Sequence, residues 1–338
     1  MSDLALLADA AREAGELMTR MRPGVRVRGK ADGSPVTEAD LAVDRLLRER
    51  LLAARPDYGW LSEETADDPA RLGRRRVFVV DPIDGTAAFI RAKPWFCTSL
   101  AVVEDGRPVA AAVFAPELDE LHLAEAGGGA RLNGAPVRVA APPAELGAAR
   151  VVGDPDVLRP PAWPPFTVER RNAIAWRLAA VGAGRFDAAI APSPKWEWDV
   201  AAGALIAAEA GAAVTDAAGA PLRFNTPEAR LPGLVACAPA LLPLILARLA
   251  PKPAPRAQEP RPAMSQQLLH LVFGGELSHV DGTEFRDLSK LDFVGAYPDY
   301  ASARAAWKAR AQATVDNAHM RYFIVHAHRL LDPSKDGV

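Results

Sequence analysis

The stretch Val77-Phe78-Val79-Val80-Asp81-Pro82-Ile83-Asp84-Gly85-Thr86 decides how the rest of the chain is read. Its four apolar residues predict a buried strand that stops at Asp81-Pro82. A strand ending in Asp sets its carboxylate at the rim of the sheet. Pro82 is expected to fix a turn there, bringing Asp84 round to the same side. Gly85 lets a ligand approach the backbone, and the residues after it are expected to open a helix whose free N–H groups suit a phosphate. Two carboxylates and the Ile83 carbonyl make an all-oxygen donor set, which suits Mg²⁺ better than zinc. Asp-Pro and Asp-Gly are also ordinary turn pairs. Their conjunction at the end of an apolar strand is what points to a site.

On the N-terminal side, Leu4, Leu7, Ala8, Ala11, Met18 and Met21 lie at helical spacing up to Pro23-Gly24. A polar loop, 30–35, precedes a second amphipathic helix with Leu41, Val43, Leu46, Leu47 and Leu51, whose start Thr37-Glu38-Ala39-Asp40 has the form of a capping box. On the C-terminal side, Leu100 to Val103 and Val109 to Phe114 predict a hairpin through Asp105-Gly106. Leu121 to Ala124 and Val137 to Val139 extend the antiparallel sheet, and an Ala-rich helix is expected from Asp199 to Gly211.

Two more acidic clusters can complete a cage. Ser62-Glu63-Glu64-Thr65 has the bland alternative of a solvated loop, and Trp196-Glu197-Trp198-Asp199 that of a helix N-cap at Asp199. Asp40 is equally well explained by its capping box.

At 338 residues the chain is long enough for about two domains. A formal net charge of -2 argues against a nucleic-acid polymer or a membrane surface as partner, since both call for a dominant basic face. No segment reaches the roughly 18 uninterrupted apolar residues of a membrane span. No basic-then-apolar leader opens the sequence. Cys97 and Cys237 form no framework, so a reducing cytoplasm is the expected setting.

Taken in order, Thr37-x-x-Asp40, Glu63-Glu64, Asp81-Pro82-Ile83-Asp84-Gly85-Thr86 and Trp198-Asp199-Val200-Ala201-Ala202-Gly203 resemble the motifs of the inositol monophosphatase superfamily. Gly129-Ala130-Arg131-Leu132-Asn133-Gly134 is similar to that family's hairpin, and the resemblance covers residues 4–250. It implies a layered α-β-α-β-α sugar-phosphatase fold of mixed α/β and α+β character, a homodimer, two or three Mg²⁺ ions and lithium sensitivity. It implies Glu63, Asp81 and the Ile83 carbonyl at a first metal, and Asp81, Asp84 and Asp199 at a second. Asp40 and Thr86 match the pair that orients or activates the attacking water, while Gly85 and Thr86 match the backbone donors to phosphate. The reaction implied is phosphomonoester hydrolysis of a small anionic ester by metal-activated water.

The branch most resembled, through the segment 30–37, Glu197-Trp198-Asp199 and Pro221-Leu222-Arg223-Phe224-Asn225, is the 3′(2′),5′-bisphosphate nucleotidases, which convert 3′-phosphoadenosine 5′-phosphate to AMP. Inositol phosphate and histidinol phosphate phosphatases share parts of the pattern. Ala87-Ala88 and Arg170-Arg171-Asn172 depart from it on the expected substrate side. There Arg170, Arg171, Arg177 and Lys195 are candidates for a second anionic group, against a bland reading as solvated charge. Cys97 is followed by an apolar strand, not an anion-binding loop, so a structural thiol is expected rather than a phosphatase nucleophile.

The expected organisation is a phosphatase domain at 1–249, a proline-rich linker at 250–263 and a small α+β domain at 264–338. The third segment reads strand, loop, strand, helix, strand, with Leu268 to Phe273 and Tyr322 to Val325 as its clearest strands and Ala303, Trp307, Ala311 and Val315 on one helix face. It resembles a small bacterial domain family of unassigned function. His326 and His328 would share a strand face, but an interaction or dimerisation module is the stronger reading than a metal site. A catalytically silent scaffold acting through this domain is the alternative of a different class. The presence of every matched carboxylate argues against it.

Overall fold

Both faces of the strand that carries Val77 to Val80 are covered, which is why its sequence runs apolar without alternation. A computed structural model describes residues 1–29, 35–249, 269–279, 283–314, 317 and 319–327. The expected linker at 250–263 and the loop 30–34 lie outside the described residues. The chain divides into two compact units, Met1–Pro253 and Ala254–Val338.

In the first unit, helix α1 (Asp3–Met21), the antiparallel pair β1 (Val27–Gly29) and β2 (Pro35–Thr37), and helix α2 (Glu38–Ala54) come first. Ser2 caps α1 by accepting the Ala5 N–H at 3.2 Å. Seven strands follow, β3 (Gly59–Ser62), β4 (Arg76–Asp84), β5 (Cys97–Glu104), β6 (Arg107–Ala115), β7 (Glu120–Glu125), β8 (Gly129–Leu132) and β9 (Ala135–Val137), with the one-turn helix α3 (Thr86–Ile90) after β4. They lie side by side in that order in one sheet, antiparallel except for the parallel β3–β4 edge. The β5–β6 hairpin turns on Asp105 and Gly106, both at positive φ (50° and 77°), as an Asp-Gly pair favours.

The second half supplies β10 (Arg150–Gly153), β11 (Thr167–Glu169), helix α4 (Ile174–Gly182), β12 (Ala188–Ala191), β13 (Lys195–Trp196), helix α5 (Glu197–Glu209), β14 (Ala213–Thr215), β15 (Arg230–Leu231), β16 (Leu234–Cys237) and helix α6 (Leu242–Leu249). Five of these strands form a second sheet in the order β11-β10-β12-β16-β14.

Helices α1 and α2 pack on one face of the large sheet, and α4 and α5 pack between its other face and the small sheet. Helix α6 lies against the small sheet through β16. The result is the α-β-α-β-α layering. Along β4, Phe78 and Val80 turn toward α1 and α2, where they meet Leu6, Leu7, Leu47 and Leu51. Val77 and Val79 turn toward α4 and α5. Each of those buried leucines is worth roughly 2 kcal/mol. Helix α5 is apolar all round because both its sides are covered.

One expectation is corrected. The strand does not stop at Asp81 but runs to Asp84 through an irregularity, with Asp81 opposite Ser99 and Asp84 opposite Cys97. Three residues on one strand are matched by two on its neighbour, so β4 carries a bulge. Pro82, which has no N–H for the ladder, sits inside it.

The second unit contains β17 (Leu269–Glu276), β18 (Asp292–Tyr297), helix α7 (Tyr300–Ala313) and β19 (Met320–Ala327). Strand β17 lies centrally with antiparallel neighbours on both sides, and α7 packs on the sheet. The Trp307 indole N–H donates to the Tyr322 carbonyl at 2.9 Å, joining helix to sheet. Val315, His328 and the side chain of His326 lie outside the described residues.

Helices α4 and α5 touch through Gly203. A Cβ there would sit 2.7 Å from the Ala175 carbonyl oxygen and 2.8 Å from the Leu178 Cβ. Gly203→Ala is therefore expected to cost about 1–3 kcal/mol by overpacking, read as a lower urea midpoint. An unchanged midpoint would contradict this helix contact.

Candidate active site

The bulge in β4 is the foundation of the site. It sets Asp81 and Asp84 together at the C-terminal end of a buried strand, where both are nearly inaccessible to solvent. Beside them runs β3, parallel and in register, with Ser62 opposite Val80. The Glu63 N–H donates to the Val80 carbonyl at 3.3 Å, which places Glu63 alongside Asp81. Asp199 arrives from the first turn of α5. It is not the N-cap of that helix, a position held by Trp196, but from the third position its carboxylate accepts the Trp196 N–H and so helps close the helix start.

Asp40 does form its capping box, and it does more. Its Oδ2 accepts the Thr37 N–H at 2.8 Å and the Thr37 hydroxyl at 2.6 Å. Its other oxygen, Oδ1, lies 3.1 Å from the Thr86 hydroxyl, which is also 3.0 Å from the Ile83 carbonyl. A hydroxyl has one proton. Thr86 can donate to either acceptor but not to both.

Electrostatically these residues form one group. Asp81 is raised well above the usual carboxylate range by burial, and then by the charges of Glu63, Asp84, Asp199 and Asp40. Burial and the Asp199 charge raise Asp84, against the pull of the N–H groups of Ala175, at 2.6 Å, and Ile174. Asp199 is pushed up to about 7 by burial and by Glu63. Burial also raises Asp40. Asp40, Asp81, Asp84 and Asp199 are thus gathered in one acidic group with Glu63 beside them, a costly arrangement for a protein to keep.

The residues fit a divalent cation. The Asp81 Oδ1 is buried with no hydrogen-bond partner, an orphaned acceptor at the centre of the acidic group. The donors are all oxygens, the chemistry of Mg²⁺. The carboxylates stand within electrostatic reach without closing into a cage. Among the described residues no three His, Cys, Asp or Glu side chains are arranged to hold an ion.

Gly85 follows the bulge at φ 92°, and a Cβ on it would lie 2.7 Å from the Trp95 carbonyl oxygen. Only glycine fits that turn. Helix α3 begins immediately after it, without a side-chain cap.

Asp44 and Arg71 help hold the site and were not singled out by sequence motifs, because their partners are remote in the chain, and Glu197, named from sequence only within the cluster before Asp199, takes a holding role. Asp44 accepts the hydroxyls of Ser62 at 2.5 Å and Thr65 at 2.6 Å, pinning the Glu63 segment to α2. Glu197, fully buried, accepts the N–H groups of Asn225 at 2.6 Å and Thr226 at 2.9 Å, and the Thr226 hydroxyl at 2.5 Å. Arg71 donates to Asp67 at 2.6 Å, the Asn225 side chain at 2.6 Å and the Thr226 carbonyl at 3.0 Å. These bonds tie the loop after Glu63 to the turn that anchors the start of α5. The only sequence cue was the run of polar residues at each location.

Comparison with known proteins now decides the family. The sequence profile of the inositol monophosphatase family matches residues 2–251. This chain belongs to the inositol monophosphatase family. It is 38% identical over 225 residues to an inositol-1-monophosphatase of Rhizobium meliloti, covering 62% of this chain and 80% of that protein. It is 36% identical over 227 residues to a histidinol-phosphatase of Chlorobaculum parvum, covering 63% of this chain and 85% of that one. Among solved structures, the extragenic suppressor protein suhB of Bartonella henselae superposes with a TM-score of 0.65 at 28% identity, over 74% of this chain and 98% of that one. Residues 268–327 match a domain of unknown function, DUF4170. The phosphatase-type unit of this family member therefore carries a second, separate module.

Arg71 is almost wholly buried, and its removal leaves the Asn225 side chain and the Thr226 carbonyl without their donor. Arg71→Leu is expected to lose about 2 kcal/mol of stability, read by urea unfolding. Wild-type stability would contradict the bridging role.

Proposed function

We propose that the chain is a Mg²⁺-dependent phosphomonoester hydrolase that transfers the phosphoryl group directly to water. The observation that carries this reading is the gathering of the buried Asp40, Asp81 and Asp84 with the half-buried Glu63 and Asp199 in one group around the unpartnered Asp81 Oδ1. Folding tolerates such repulsion where a bound cation offsets it.

On this reading Glu63, Asp81 and the Ile83 carbonyl would hold one ion, and Asp81, Asp84 and Asp199 would hold a second. Bound there, Mg²⁺ would acidify water and offset the charge that develops on the phosphoryl and leaving oxygens. Asp40 serves as the proton acceptor at Oδ1, with the Thr86 hydroxyl as the relay beside it. Thr37 fixes the other Asp40 oxygen, so the acceptor lone pair faces the site. The Gly85 and Thr86 N–H groups, at the start of α3, bind the phosphoryl oxygens. The water oxygen bonds to phosphorus as the ester P–O bond breaks, and the leaving alcohol takes a proton. No covalent enzyme intermediate is needed.

For the substrate, 3′-phosphoadenosine 5′-phosphate remains the leading reading from sequence, favoured by the cationic residues that border Asp199. Inositol-1-phosphate or histidinol phosphate is the second reading, favoured by the names of the relatives above. The same proposal includes lithium inhibition, a homodimer and a cytoplasmic setting. Among the described residues no helix is long and apolar enough to cross a membrane.

A panel of phosphate esters assayed with Mg²⁺, with chelator and with lithium tests the proposal. Hydrolysis that disappears with chelator and returns with Mg²⁺ is expected. Hydrolysis of no ester, or hydrolysis indifferent to chelator, would refute it. Asp84→Asn and Asp199→Asn are each expected to lower kcat about a thousandfold or more. In chelator both variants should unfold at higher urea than wild type, because one charge has left the repulsive group. Near-normal turnover in either variant would break the scheme.

A further inference from the structure

A cleft of about 270 Å³ opens where the start of β6, the second half of α5, β14 and the segment 221–224 meet. It is separate from the acidic group. Strand β4 reaches that group at Asp84, whereas the β5–β6 turn beside the cleft stands at the other end of β4, with Glu104 across from Arg76. Ala208 at the cleft and Asp199 are about 13 Å apart along α5.

The walls of the cleft are apolar. Helix α5 contributes Ala204, Leu205 and Ala208, and the segments after it contribute Val214, Leu222 and Phe224. Among the described lining residues the only polar side chains are those of Arg107 and Arg223. The fold brings these two together from remote parts of the chain. The Phe224 N–H donates to the Gly106 carbonyl at 3.1 Å, which holds the segment 221–224 against the β5–β6 turn. A Cβ built on Gly106 would lie 4.0 Å from the Arg223 Cδ, so the stem of Arg223 passes over the turn that leads into Arg107.

Neither arginine has a carboxylate partner among the described residues, and the nearby carboxylates are committed elsewhere. Glu104 stands across from Arg107 in the β5–β6 ladder, yet it pairs with Arg75 at 2.6 Å and Arg76 at 3.0 Å. Asp216, in the turn before Pro221, accepts the N–H groups of Ala218 and Ala220 on Oδ1, each at 2.8 Å. Two cations without counter-charge over an otherwise apolar surface match a ligand divided in the same way, an anionic head on a hydrocarbon body. An uncharged hydrocarbon would make no use of the arginines. A compact inorganic anion would leave the apolar walls wet. The volume suits a ligand of about ten non-hydrogen atoms.

We propose that this cleft binds a small amphiphilic carboxylate, with Arg107 and Arg223 on the carboxylate and the side chains of α5, Val214, Leu222 and Phe224 around the hydrocarbon. The site and its ligand are distinct from the candidate reaction centre and its ester, and the inference does not depend on the phosphatase reading. The bland alternative is a pair of solvated arginines beside a surface depression. It predicts neither a preference for an acid over the matching alcohol nor a dependence on chain length.

Calorimetric titration of the full chain with octanoate, butanoate and octan-1-ol tests the proposal. Octanoate is expected to bind about tenfold or more tightly than octanol, which lacks the charge, and than butanoate, which lacks the hydrocarbon. Inorganic phosphate should not displace it. Arg107→Gln and Arg223→Gln should each weaken octanoate severalfold, and Ala208→Trp, which fills the cleft from an exposed helix position, should abolish its binding. Arg45→Gln, at an exposed position on α2, should leave it unchanged. All four substitutions fall at exposed positions, so wild-type urea midpoints are expected and check that each variant is folded. No saturable octanoate binding, equal affinity for octanoate and octanol, displacement by phosphate, or an affinity that the arginine substitutions at the cleft change no more than Arg45→Gln does, overturns the site.

Discussion

Mutual repulsion among buried carboxylates is the constraint around which the first unit is organised. A chain left to itself would spread these charges over its surface. Here a bulge in β4 forces Asp81 and Asp84 together, and the parallel neighbour and two helix starts bring in Glu63, Asp40 and Asp199. The opposing stability comes from elsewhere. Leu6, Leu47 and Phe78 on one face, with Val79, Leu178 and Ile206 on the other, make the layers rigid enough to hold the charges in place. The polar bridges through Asp44, Glu197 and Arg71 then fix the segments that the apolar layers do not reach. Architecture and proposed chemistry are linked at this point, since a cation bound among the crowded carboxylates would offset their repulsion.

The layering also gives the site two unlike sides. One is closed and acidic, built on the large sheet and anchored by α2. The other is basic, with residues contributed by α4 and by the β13–β15 pair. A phosphate ester presents the same polarity in reverse, with a reacting group that needs cations beside it and a remainder that decides which ester is accepted. Conservation of the first side with variation of the second would let one fold serve inositol, histidinol or nucleotide phosphates.

Much of this was legible in the sequence where the signal is local. The Thr37 capping box, the Asp105-Gly106 turn, the first helix and the five acidic positions are each specified by residues a few places apart. The bulge was not legible, because it depends on how β4 pairs with β5; the sequence suggested a turn at Pro82 where the strand in fact continues. Arg71 was equally hidden, since its partner Asn225 lies 154 residues away. Of the basic residues named from sequence, Arg170 and Arg171 have partners of their own; Arg230, which the sequence did not single out, gains its position only through pairing with the Trp196 strand. Local chemistry announces itself in sequence, whereas long-range pairing decides which of its candidates meet.

The central claim is that the acidic group exists to bind divalent cations, with Asp81 as the shared oxygen donor. Calorimetric titration of Mg²⁺ into the full chain and into its Asp81→Asn variant tests that most directly. Saturable binding by the wild type, weakened about tenfold or more in the variant, is the predicted result. No binding by the wild type, or equal affinity in both proteins, would contradict it.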